Sequence, residues 1–279
     1  MGQAPTDPVV GKVLDDLDFE PTDQVLTDYY EGLGLARPTG ATVPPMVAGE
    51  VDNDFHPQTA FHQDRGHLWM RQQWALRAPL QVGHRYIANG IIEDIYRRRD
   101  RTVVNTAMTL TDRDGQIMAT PNHHQSFLLD EPIDQVAFRE PTAKEGARRF
   151  TVPDGTPIEP YDTTVTLEMC GQFFHGSRNY HTDRAASEAL GFAEVVVGGR
   201  MTMAYVGHVL ENHFGEPWWT SGRLDLKFTN PVWPDDHLTV KGVEVGPSPD
   251  EPSSRRAFVW IEKDDGTIAL VVDADCAKG

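Results

Sequence analysis

Apolar and polar residues alternate along much of this chain, and the alternation comes in two similar series. In the first, His67 to Leu76, His84 to Tyr96, Thr102 to Leu110 and Gln116 to Leu128 show the two-residue period of strands with one face in a core. Asp112-Arg-Asp-Gly115, between the last two, has the composition of a hairpin turn. In the second series Asp162 to Met169, Trp218 to Phe228, Leu238 to Val245, Ala257 to Ile261 and Ile268 to Asp273 read as strands, and Asp264-Asp-Gly266 is the matching turn. Helical spacing replaces this alternation in three places. Thr22 to Leu33 predicts a short helix with Thr22 as N-cap and Gly32 or Gly34 as its stop, and Asp183 to Leu190 a second. Gly199 to His213 predicts the longest helix, with Met203, Val206 and Leu210 on one buried face. The Pro/Gly-rich acidic stretch through Pro44-Pro45 to about Arg65 is expected to be a loop.

Between Asp130 and Tyr161 the chain mixes Pro, Gly and charge with little periodic apolar content, which is the composition of a linker. The expected division is therefore a first unit over 1–135, a linker over 136–160 and a second unit over 161–279. The halves share too few letters to be called a repeat, but their parallel order of elements suggests a duplicated unit. A helix followed by an antiparallel sheet that wraps it is an α+β arrangement.

Composition narrows the surroundings more than the chemistry. With 279 residues, 39% hydrophobic and 24% charged, the chain suits two ordinary globular domains. No apolar run approaches the roughly 20 residues that span a bilayer, and the first residues lack the pattern of a secretory signal, so a cytoplasmic protein is expected. A net charge of −17 opposes nucleic acid and anionic membrane as partners. The one basic cluster, Arg97-Arg98-Arg99 with Arg101, is either a solvated strand end or a patch that offsets this charge for a phosphate-rich ligand. Cys170 and Cys276 stand far apart without metal-ligand spacing and are expected as reduced thiols. His123 and His124 are adjacent, so in a strand they face opposite ways and make a poor metal pair. Neither metal nor cofactor is expected.

The chemistry concentrates between Phe173 and Pro231. A polar turn, His175-Gly-Ser-Arg-Asn-Tyr-His181, is followed by a helix opening on Gly198-Gly199 and a strand closing on Asn230-Pro231. A histidine after a turn is a possible proton carrier, and a glycine-opened helix offers backbone N–H groups to developing negative charge. Together these are the two parts that an enolate reaction needs. Each alone has a plainer explanation, a hydrogen-bonded histidine or a glycine loop, so the order of the parts makes the case.

That order resembles the MaoC-like (R)-specific enoyl-CoA hydratase group of the hot-dog fold. The resemblance implies a double hot-dog: two antiparallel sheets, each wrapping a helix, joined in one chain. The first unit, which shows no long glycine-opened helix, would be the degenerate one that shapes a pocket. Members of the group carry an Asp and a His five positions apart in a turn of the type Asp-x-Asn-Pro-x-His. Here His181 matches the histidine, but Gly176 stands where the aspartate belongs. The resemblance thus implies His181 as acid/base and Gly198 and Gly199 as the oxyanion site. Asn179 is the expected replacement for the aspartate. Asp183 is expected either as a second proton carrier or as a helix N-cap, and Arg178 as a substrate clamp or an ion-pair member. Tyr180, with Phe173, Phe174 and Phe192, would favour a bulky acyl group if these rings line the pocket.

The activity implied is that of a dehydratase or hydratase on a β-hydroxy or α,β-unsaturated acyl thioester, carried on CoA or an acyl-carrier protein, or on a related activated carbonyl. The alternatives are a hot-dog enzyme of other chemistry, such as a thioesterase, isomerase or specialised-metabolism lyase or cyclase, and a non-catalytic acyl-binding subunit. A homodimer is the expected assembly.

Overall fold

The alternating segments pair into one continuous antiparallel sheet of eleven strands in the computed structural model, which describes residues 7–40, 42–62, 67–129, 150–247 and 251–278. The first unit contains β1 (Leu17–Phe19), α1 (Asp23–Leu33), β2 (Thr42–Val43), α2 (Glu50–Asp54), α3 (His56–Thr59), β3 (His67–Ala75), β4 (Leu80–Gln81), β5 (Tyr86–Arg98), β6 (Arg101–Thr111), β7 (Ile117–Ala119) and β8 (Asn122–Phe127). The second contains β9 (Thr156–Thr164), α4 (Leu167–Phe173), α5 (Arg184–Ala189), α6 (Gly199–Phe214), α7 (Glu216–Ser221), β10 (Arg223–Phe228), β11 (His237–Val245), β12 (Ser254–Lys263) and β13 (Ile268–Ala277).

The strand order is β1-β5-β6-β8-β3-β10-β13-β12-β11-β9, with β7 beside β6. Its second half is the first half reversed, element for element, so the two units are related about the junction of β3 and β10. Joining the sheets there removes two open edges that would otherwise invite pairing with other chains. The junction also has an ion pair across it: Arg71 donates two hydrogen bonds to Asp225, Nε to Oδ1 at 2.7 Å and Nη2 to Oδ2 at 2.6 Å.

Local signals explain the helices. Thr22 Oγ1 accepts the Val25 N–H at 3.2 Å, and Gly34 ends α1 in the left-handed conformation at φ 67°. The helix over α6 begins and ends within one residue of its expected bounds, but its burial is wider than one stripe. Met201, Met203, Ala204, Tyr205, Val206, Gly207 and Leu210 are all buried, because the sheet covers one side and the first unit the other. The covering piece is a 3₁₀ turn, Pro45–Gly49, which continues into α2. It occupies the stretch expected to be a loop. Gly207 admits it: a Cβ there would lie 2.5 Å from Met46 Cγ. Helices α1 and α4 meet as closely, since a Cβ on Gly32 would lie 2.5 Å from the Phe173 backbone nitrogen.

Four expected boundaries differ from the structure. β9 begins at Thr156, inside the segment read as linker; its Pro157 and Pro160 gave the linker signal, yet β9 is the outermost strand, where proline is tolerated. Residues 136–149 of that linker lie outside the described residues. The run Asp162 to Met169 is half strand and half helix, because Thr166 caps α4 by accepting the Met169 N–H at 3.2 Å. Trp218 begins no strand: Pro217, after Gly215, opens the short helix α7. Finally, Gln116 to Leu128 is broken at Thr120-Pro121 into β7 and β8.

The helix contacts give a paired prediction. Gly32→Ala forces a methyl group into the Phe173 backbone and should lower unfolding stability by about 1–3 kcal/mol in urea titrations. Gly171→Ala on α4 meets open space and should be neutral or stabilising by up to about 1 kcal/mol.

Candidate active site

The turn carrying His181 is built by its own polar atoms. After α4 the chain reverses through His175 and Gly176, both left-handed at φ 56° and 68°. Asn179 Oδ1 accepts the His181 N–H at 2.8 Å, and its amide donates to Ser177 Oγ at 3.2 Å. Thr182 Oγ1 donates to the Ser177 carbonyl at 2.7 Å. Asn179 thus spends both ends of its side chain on the turn. Asp183 caps α5, accepting the Ala186 N–H at 2.9 Å, and also pairs with Arg178 at 3.0 Å. The Arg178 side chain is 74% exposed, so this pair sits on the surface. Of the expected polar site residues, Asn179, Asp183 and Arg178 therefore have structural partners that account for them.

His181 is different. Its ring lies between Phe174, stacked at 5.0 Å and 16°, and Tyr180, at 3.8 Å between centroids. Nδ1 stands 2.7 Å from the Val196 carbonyl, which can only accept, so Nδ1 carries the proton and Nε2 keeps its lone pair. Burial pushes the imidazole down to about 3; the hydrogen bond to Val196 opposes the shift, while His67 and Arg200 add to it. The ring is a neutral base at physiological pH.

Beside it α6 begins. Gly198 brings no capping side chain, and helix geometry leaves the first N–H groups without intrahelical acceptors. The glycines are demanded by packing as well. A Cβ on Gly198 would lie 2.4 Å from Phe174 Cζ and 3.6 Å from His181 Cγ, and one on Gly199 would lie 2.9 Å from Trp69 Cε3 and 3.1 Å from Phe228 Cζ. Aromatic rings therefore pack against the two glycines at the helix end. A recess of about 280 Å³, lined by Pro153, Val245, Arg256, Phe258, Asp273 and Asp275 among others, is lined by no residue of the His181 turn.

The first unit contributes side chains that the sequence did not point to. His67 meets the Tyr180 ring edge-on at 5.0 Å, and Trp69, two residues along β3, packs on Gly199. Behind Trp69, the fully buried Gln72 accepts from Trp69 Nε1 at 3.1 Å and lies 3.0 Å from His123 Nδ1. Asp52 of α2 is buried with neither oxygen hydrogen-bonded, and burial pushes its carboxyl well up, against the opposing effect of Arg200. Part of this was present in the letters: Gln72 and His123 are polar residues at inward positions of strands that otherwise face a core, whereas His67, five positions before Gln72, shares its face only through the irregularity between Trp69 and Arg71. His124, next in chain, faces away to Tyr96, whose hydroxyl is 3.2 Å from its Nδ1. Cys170 and Cys276 are free and buried. Among the described residues, no helix is long and apolar enough to cross a membrane.

Residues 150–256 match the protein family described as MaoC like domain. Solved structures match nearly the whole chain. One described as a MaoC-like dehydratase is 12% identical, with 97% of this chain and 98% of that chain covered at a TM-score of 0.71. A MaoC-like dehydratase from Phytophthora capsici is 14% identical, with 97% and 96% covered at 0.69. A conserved hypothetical protein of Mycobacterium tuberculosis, described as having a double hotdog fold, is 11% identical, with 97% and 96% covered at 0.66. At these identities the likeness establishes the fold. No curated protein sequence matches the chain.

Two outcomes test the site geometry. His181 should itself take up no proton from pH 8 down to pH 5, so no imidazolium form of its ring should appear by NMR, because the depressed folded value lies below that range. Since the unfolded ring protonates near 6.5, His181 should also cost stability progressively as pH falls below that value. Gly198→Ala should displace Phe174, shift the His181 resonances and lower stability by about 1–3 kcal/mol.

Proposed function

We propose that this chain, whose residues 150–256 match the MaoC like domain, is a dehydratase or hydratase of β-hydroxy or α,β-unsaturated acyl thioesters. The observation that carries this reading is the pairing of a neutral histidine, with Nε2 unprotonated, and the uncapped glycine end of α6. A thioester whose carbonyl oxygen reaches the first N–H groups of α6 has its enolate charge met by a helix N-terminus. Its α-carbon then lies toward His181.

In the dehydrating direction Nε2 takes the α-proton and the electrons move into the enolate. As the enolate collapses, the Cβ–O bond breaks, the double bond forms between Cα and Cβ, and the imidazolium returns its proton to the departing hydroxyl. Water leaves and His181 is neutral again. One residue suffices for both transfers if they occur on the same face, and this fits a turn in which Gly176 replaces an aspartate and Asn179 is bound up in the backbone. The rings of Phe174, Tyr180 and Trp69 around the helix end favour acyl groups with flat or bulky apolar parts, delivered on CoA or an acyl-carrier protein.

The test is hydration of crotonyl-CoA and longer or aryl-substituted enoyl-CoA substrates. His181→Ala should lower kcat/KM by about 10²-fold or more, the usual worth of an acid–base group, and leave the melting temperature nearly unchanged. Asn179→Asp preserves an acceptor for the His181 N–H and should change turnover at least about tenfold less than His181→Ala. An Asn179→Asp effect as large as that of His181→Ala would argue that Asn179 touches the reacting atoms.

A further inference from the structure

His175 stands one residue before the missing aspartate, and its surroundings belong largely to the other unit. Nδ1 is 2.6 Å from Asp28 Oδ2 on α1, and Nε2 is 2.9 Å from Glu50 Oε1 at the start of α2. A neutral imidazole has one N–H and would leave one of these carboxylates facing a lone pair. Both contacts are satisfied only by the imidazolium. Asp28 is buried and also accepts from Gln24 Nε2 at 2.8 Å and Gln172 Nε2 at 2.7 Å, which are contacts suited to a carboxylate. Glu50 Oε1 is shared: Arg200 Nη1 lies 3.3 Å from it.

The sharing connects the two halves of the candidate site. Arg200 follows Gly199 at the start of α6, and its guanidinium rests over the Phe173 ring at 4.7 Å and the Phe174 ring at 5.1 Å. Phe174 immediately precedes His175, stacks on His181 and fills the space beside Gly198. A single carboxylate oxygen of the first unit therefore ties the turn that bears the base to the helix that bears the oxyanion site. His175 is held here in a left-handed conformation uncommon for a non-glycine residue.

We infer that His175, as a cation between Asp28 and Glu50, is a positioning residue: an ionic clamp from the first unit that sets the His181 turn against α6 and loosens when His175 loses its proton. The charged groups facing it are Asp28 on α1, Glu50 and Asp54 on α2 and Arg200 on α6, with Glu31 adjoining through Gln172. The hydrogen bond to Glu50 raises the His175 value above that of an ordinary histidine; burial opposes the rise, Asp28 adds to it, and Arg200 again opposes it. The sign follows. A raised folded value means that the clamp's contribution is complete below about 6.5 and is lost as pH rises through the folded value.

This inference rests on the reading of His181 as the base, so its test has one arm that requires no turnover. In the full chain labelled with ¹⁵N, both His175 ring nitrogens should be protonated at pH 6.5, and the His181 resonances should move along the same titration as His175 as pH rises above that value. His175→Gln should abolish that movement. In the second arm, with crotonyl-CoA as probe, wild-type kcat should fall on the alkaline side with the same midpoint. His175→Gln should lower kcat about tenfold with KM nearly unchanged and show no such fall. If His175→Gln does not fold, Asp28→Asn removes one carboxylate and should move the His175 midpoint to lower pH. A His175 that is already neutral at pH 6.5, or a His175 titration that leaves His181 unmoved, would overturn the clamp. Coupled titration without turnover of any thioester would support the clamp and count against the proposed reaction.

Discussion

The rest of this structure depends on the burial of the first turns of α6, where every residue from Arg200 to Gly207 is buried. A helix carrying Met201, Met203, Tyr205, Val206, Val209 and Leu210 on successive faces cannot be covered by one sheet, and the uncovered side would expose a large apolar surface. The first unit supplies the cover through Pro45–Gly49 and α2, brought close by the bare backbone of Gly207. Two units are thus required for one core. Because the cover reaches the first turn of α6, the same contact makes the candidate site a joint product, with base and helix end from the second unit and Trp69, His67, Asp28 and Glu50 from the first.

Closing polar groups between two units has a recognisable energetic signature. Burial pushes the Glu211 carboxyl up to about 8, partly offset by Trp219, and raises Asp52 as well. Arg200 is 5% exposed, but Glu50 and two aromatic faces attend it. An apolar replacement at these positions would serve stability at least as well, since buried ion pairs seldom repay their desolvation. What they add is geometry: directional contacts fix the orientation of the His181 turn relative to α6.

The sequence was most informative where a residue acts locally. The Thr22 cap, the Gly34 stop, the glycine-opened start of α6 and the strands of both sheets depend on near neighbours and were legible. The split of Asp162 to Met169 and the short helix at Trp218 were not, since one cap or proline outweighs several residues of β-like composition. At the site, His181 and its neighbouring glycines were visible as a motif, and the polar atoms of Asn179 and Asp183 looked equally chemical until their backbone partners were seen. The Asp28–His175–Glu50 contacts join residues separated by 147 and 125 positions, and no local pattern encodes such a meeting.

The central claim is that His181 and the start of α6 together generate an enolate, and exchange of the α-protons of a saturated thioester tests it without requiring that the natural acyl group be known. In D₂O the wild-type chain should catalyse deuterium incorporation at the α-carbon of butyryl-CoA or a bulkier arylpropionyl-CoA, and His181→Ala should abolish it. Exchange that persists in His181→Ala would contradict the account directly. So would wild-type turnover of an enoyl thioester with no exchange into any saturated one.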